Sequence, residues 1–97
     1  MKYFTLAIHY PKENNVKDIL NAMNVLAKEA EKMPGCIEMS AWIDEKSNKL
    51  FAMSLWASKE EGLACWQKLG PLVSQFPLSD WERQPREVFM NLTHGSE

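Results

Sequence analysis

The chain has 97 residues, with 11 basic and 13 acidic side chains for a formal charge of −2, and no basic run. That balance argues against nucleic acid as the main partner, because neutralising phosphates requires clustered Lys and Arg. The length allows a single domain over residues 1–97, yet 45% of residues are hydrophobic, a supply generous enough to imply an oligomer interface.

Residues 3–10 are mostly apolar, β-branched or aromatic and stop at Pro11, which predicts a buried strand rather than a signal peptide. After the turn Pro11–Asn15, with Asn15 and Asp18 placed as a capping box, Val16, Ile19, Leu20, Met23, Leu26, Ala27, Ala30 and Met33 recur at helical spacing. Pro34-Gly35 stops that helix. Cys36–Asp44 alternates, with Ile37, Met39, Ala41 and Ile43 opposite Glu38, Ser40, Trp42 and Asp44. A polar hairpin loop over 44–49 follows.

Leu50–Trp56 alternates again, Phe51, Met53 and Leu55 against Ala52, Ser54 and Trp56. Ser58 and Glu61 form a second capping box, and Leu63, Trp66 and Leu69 share one stripe of the next helix. Gly70-Pro71 is expected to break or kink it, with Leu72, Val73 and Phe76 continuing an apolar face. Residues 77–86 form a connection longer than most. Glu87–Thr93 is the last strand and 94–97 a polar tail, so the core spans 3–93.

The order β-α-β-β-α-β predicts an α+β, ferredoxin-like fold: an antiparallel sheet with two helices on one face. The other face, whether it carries Tyr3, Thr5, Ala7 and His9 or the alternate set, is too apolar for water. A two-fold related second copy would cover it, so a homodimer is expected. No segment reaches the length that spans a bilayer, so no membrane partner is expected. Cys36 and Cys65 are too few and too far apart for a disulfide framework or a zinc site, which predicts a reduced, cytoplasmic protein without a metal site.

This order of elements, with Met33-Pro34-Gly35 ending the first helix and Ser54-Leu-Trp56-Ala-Ser-Lys-Glu-Glu61 leading into the second, resembles the antibiotic biosynthesis monooxygenase family over roughly residues 3–93. The resemblance implies a dimeric α+β barrel and oxygenation of quinols or polycyclic phenols, often without metal or flavin, so no cofactor is expected. Members often carry a His in helix two, near the positions of Cys65 and Trp66. This chain has no His between residues 10 and 93.

Such chemistry needs a base, aromatic walls and a donor for developing oxyanion charge. His9 is the candidate base, Asn91 a polar contact, and Trp66 a wall whose indole N–H is the donor; these three are the catalytic candidates. Tyr10, Trp42, Trp56, Cys65 and Trp81 are the candidates to line a site for a small aromatic or quinol-like ligand. Each has a plainer role open to it: core packing for Trp56 and Trp66, a dimer contact for Trp42, a loop anchor for Trp81, strand-end packing for Tyr10. For Cys65 the plain role is an inert buried thiol, and for His9 a hydrogen-bonded structural histidine. The competing functions are a non-catalytic ligand-binding module, a haem-degrading enzyme using His9 as ligand, and a structural dimer.

Overall fold

The computed structural model describes residues 1–95. Strand β1 (Tyr3–His9) leads through a 3₁₀ turn (Glu13–Asn15) into helix α1 (Val16–Glu31). Strands β2 (Cys36–Asp44) and β3 (Lys49–Trp56) form a hairpin, followed by α2 (Lys59–Val73), a short helix α3 (Leu78–Trp81) and β4 (Glu87–Leu92). The sheet order is β2-β3-β1-β4, with every neighbouring pair antiparallel. This is the ferredoxin-like arrangement that the sequence predicts.

Register decides which residues meet the helices. Tyr3, Thr5, Ala7 and His9 stand opposite Trp56, Ser54, Ala52 and Leu50. The buried members of that set pack with Ile19, Ala22, Met23, Leu26 and Ala30 of α1. Phe4, Leu6 and Ile8, paired with Leu55, Met53 and Phe51, face away from the helices. The alternate set is therefore the one left open, and it includes Trp42, 64% exposed.

Both outer strands are irregular. Cys36 pairs with Trp56 and Glu38 with Leu55, leaving Ile37 as an extra residue, and a second shift lies in the β1–β4 pairing between Phe4 and Leu6. Each is a bulge, with one more residue on the outer strand than on its partner.

The helix ends follow local chemistry, with two departures from expectation. Asn15 makes no capping bond; its Nδ2 instead donates to Asp18 Oδ2 at 2.8 Å. The preceding 3₁₀ turn, closed by Asn15 N–H to Lys12 O, already shapes the helix entry. Nor does Gly70-Pro71 end α2, which continues to Val73. Pro71 falls in the last turn, so the backbone hydrogen bond it removes is lost near the helix end, and Gly70 O still accepts from Ser74 N–H at 3.0 Å.

Ser58 does cap α2: its Oγ accepts from Glu61 N–H at 3.2 Å while donating to Glu61 Oε1 at 3.1 Å. Ser58→Ala is expected to cost about 1 kcal/mol in urea unfolding. The buried stripe of α2 is Gly62, Cys65 and Leu69, with Trp66 on its flank and Leu63 exposed. Gly62 lies so close to the sheet that a Cβ there would sit 2.5 Å from Tyr3 Cδ2. Gly35, at φ +83°, makes the left-handed turn that follows α1, and its carbonyl accepts from Ala57 N–H at 2.8 Å.

Among the described residues no helix is long and apolar enough to cross a membrane.

Candidate functional site

Between the helix-facing side of the sheet and the helices lies an apolar cavity of about 200 Å³. Thr5, Ala7, His9, Met39, Ala52, Val88 and Met90 contribute its floor, Met23 and Leu26 of α1 and Trp66 and Val73 of α2 its walls, and Leu78 and Arg86 its far side. It exists because several floor residues are small or slender: Ala7 and Ala52 face each other across the β1–β3 pair. A shallower recess lined by Gly70, Ser74, Phe76 and Asp80 shares Trp66, Val73, Leu78 and Arg86 with the cavity, which marks the approach from outside.

The walls carry two polar features. His9 is 3% exposed, and its Nδ1 lies 3.0 Å from Oε2 of Glu82, itself buried. The other carboxylate oxygen, Oε1, accepts from Arg86 Nη1 at 2.7 Å. His9, Glu82 and Arg86 thus form a chain from the sheet to the cavity edge. With Nδ1 engaged, Nε2 is the ring nitrogen left for a ligand. Burial pulls the His9 pKa below its usual value; the Glu82 hydrogen bond and charge oppose that shift, and Arg86 adds to it. The imidazole is therefore neutral at pH 7, the form that can accept a proton.

The second feature is the indole Nε1–H of Trp66, buried with no hydrogen-bond partner among the described residues. A buried donor without an acceptor costs about 1–3 kcal/mol, and this one belongs to a ring that lines the cavity.

The cavity brings together His9 and Trp66 but none of the other candidates. Trp56 is fully buried in the core, its Nε1 donating to Ser54 Oγ at 2.8 Å, because Gly62 lets α2 close directly over its ring. Trp42 stands on the open face and donates to Ser40 Oγ at 3.0 Å. Tyr10, just past β1, hydrogen-bonds Glu87, with the cations of Lys49 and Arg83 near its ring face. Cys65 is buried and its thiol pKa is pushed up to about 11, mainly by burial, with Cys36 adding and Lys68 opposing. It is an inert thiol at neutral pH. Trp81 is half-buried against the core and anchors the connection, and Asn91 is exposed on the outer strand β4.

Glu82 and Arg86 are the site residues that sequence reasoning misses. The unusual length of the 77–86 connection is the one signal that points to them.

The fold is the one that antibiotic biosynthesis monooxygenases adopt. No protein-family profile matches the sequence, and no curated protein matches it. Solved structures do. A Nitrosomonas europaea protein whose name assigns it to the antibiotic biosynthesis monooxygenases superposes with a TM-score of 0.76 at 14% identity, over 94% of this chain and 90% of that one. The Mycobacterium tuberculosis protein Rv0793 gives 0.76 at 10% identity, over 98% and 99%. SnoaB, a cofactor-independent oxygenase from Streptomyces nogalater, gives 0.72 at 11% identity, over 99% and 98%.

Proposed function

We propose that this chain is an antibiotic-biosynthesis-monooxygenase-type enzyme that oxygenates a small phenol or quinol in the cavity between sheet and helices. The observation that carries the reading is the pairing, in one apolar cavity, of a neutral buried imidazole with an unpartnered indole N–H. Fold likeness supports it, and the name of SnoaB supplies a precedent for oxygenation without a cofactor.

His9 Nε2 takes the phenolic proton, which raises electron density on the ring carbons ortho and para to the oxygen, and the reacting carbon is one of these that still bears hydrogen. Dioxygen adds there, and loss of water leaves a carbonyl. One oxygen atom enters the product and the other leaves as water, with all four electrons drawn from the substrate. Phenol and dioxygen thus give quinone and water, and no external reductant is required. Trp66 Nε1–H meets the oxygen on which negative charge develops.

Size restricts the substrate. A dry cavity of about 150 Å³ accepts benzene, so about 200 Å³ suits one or two fused rings better than a polycycle. An oxygen-electrode survey of one- and two-ring phenols and quinols should show oxygen consumption by the wild type. Trp66→Phe should lower kcat about 10²-fold, the loss typical of one oxyanion donor. Binding of such ligands with no oxygen consumption would reject the enzyme reading in favour of a binding module.

The open sheet face is the seat we assign to a second copy, giving a homodimer with sheet facing sheet. Trp42, Phe89 and Leu92 are exposed there, beside Phe51 and Met53. Trp42→Glu should shift sedimentation velocity toward monomer, whereas a monomeric wild type would remove the interface. Two free thiols suit the reducing cytoplasm, where we place the protein.

A further inference from the structure

Residues 77–86 do more than close the chain from α2 to β4. Their central part is clipped onto the segment that leaves β1: Trp81 O accepts from Lys12 N–H at 2.8 Å, and Arg83 N–H donates to Tyr10 O at 2.8 Å. The Arg83 guanidinium adds donations to Pro11 O at 2.6 Å and to Ser47 O at 3.4 Å. Glu82 sits between these anchors, in a bridge with Pro11. Its side chain points inward, is 3% exposed and uses both carboxylate oxygens, one on His9 and one on Arg86.

We propose that Glu82 is a positioning residue: its buried carboxylate accepts Nδ1–H of His9 and so fixes the tautomer whose Nε2 lone pair serves the cavity. The proposal rests on the reading of His9 as the base. In neutral imidazole one nitrogen carries the proton and the other accepts, and the hydrogen bond made by one decides the role of the other. A carboxylate at Nδ1 can only accept, so it excludes the opposite tautomer. The charged groups acting on His9 are Glu82 and Arg86. Met23 and Leu26 from α1, Ala52 from β3 and Val88 from β4 bring no charge to the cavity.

Glutamine at position 82 keeps the shape but can present either an acceptor or a donor to Nδ1. Glu82→Gln also removes the negative charge while leaving the Arg86 cation. The chain has only two histidines, so imidazole ¹⁵N NMR, assigned with His9→Gln, reads the tautomer directly. In the wild type Nδ1 should carry the proton. In Glu82→Gln the Nε2–H form should appear and the His9 titration should move to lower pH. On the substrate found by the oxygen survey, kcat should fall roughly 10- to 100-fold with KM nearly unchanged, less than the roughly 10²- to 10⁴-fold that loss of the base itself would cost. Glu82→Asp should recover part of both signals.

An Nε2–H tautomer in the wild type overturns the proposal, as does a His9 titration that Glu82→Gln leaves in place. If Glu82→Gln does not fold, the wild-type tautomer decides alone. If no phenol is oxygenated, the reaction fails as a reading while the NMR result still settles the part played by Glu82.

Discussion

Trp56→Ala is expected to remove about 3–5 kcal/mol of unfolding free energy, the cost of emptying a large aromatic site in a core that relaxes only in part. The indole is 0% exposed. It lies across from Tyr3 and Cys36 in the sheet, and α2 closes over it at Gly62. The ring also carries a bonded chain, since Nε1 donates to Ser54 Oγ and Ser54 shares a hydrogen bond with Thr5. Alanine leaves both a void and a Ser54 hydroxyl that has lost one partner. Domains are typically stable by about 5–15 kcal/mol, so this one substitution threatens the fold. Gly62→Ala attacks the same contact from the other side, because its Cβ would lie 3.0 Å from the indole and 2.5 Å from Tyr3. Urea unfolding at fixed protein concentration, followed by circular dichroism, measures both. A loss below about 1 kcal/mol for Trp56→Ala would mean that the ring is not core.

His9→Gln should abolish most turnover, by about 10²- to 10⁴-fold, while leaving ligand binding largely intact. Glutamine fills similar space and can still bond Glu82, but it cannot take up a proton near neutrality. The pH dependence follows from the same burial. The folded-state pKa of His9 lies below the ordinary value of about 6.5, so below that pH the unfolded chain takes up a proton that the folded chain refuses. Stability contributed by the neutral imidazole is therefore complete above about 6.5 and is lost as the pH falls from there toward the folded pKa. His9→Gln should flatten that slope, and Trp66→Phe should not. In kcat/KM, the acid limb should lie below 6.5 for the same reason. An acid limb above neutrality would identify another base.

The fold was largely readable from periodicity because each element has one wet and one dry side. Val16–Ala30 repeats at helical spacing, β2 and β3 alternate, and Ser58 with Glu61 announces α2. Alternation could separate the two sides of β1 but could not say which side the helices cover. That choice shows only in the packing: Tyr3, Leu50 and Trp56 are buried with α1 and α2, and Ala7 and Ala52 leave the cavity beside them. Of the stripe Leu63, Trp66 and Leu69 on α2, Leu69 is buried and Trp66 partly so, but Gly62 takes the place of Leu63 because it permits the closer approach.

The site was only half legible. His9 and Trp66 stood out by residue type, and the cavity brings them together. Glu82 is 73 residues from His9 in the chain, and no local pattern links an acid in a loop to a histidine at a strand end. Aromatic content misled for the opposite reason. Trp42, Trp56 and Trp81 occupy three different environments, and an indole's affinity for a pocket is the same property that suits it to a core, an interface or a loop anchor.

The bulges in β2 and β4 have a consequence for behaviour at high concentration. A four-stranded sheet with two straight flanks offers open ladders to any passing chain, and such ladders seed fibres. Here the extra residue on each flanking strand breaks the ladder's spacing, and the Glu38 and Glu87 side chains on those strands add like charge between neighbouring molecules. Growth strand by strand is thus discouraged on both flanks, so the molecule can keep a greasy sheet surface without becoming a template for its own polymerisation.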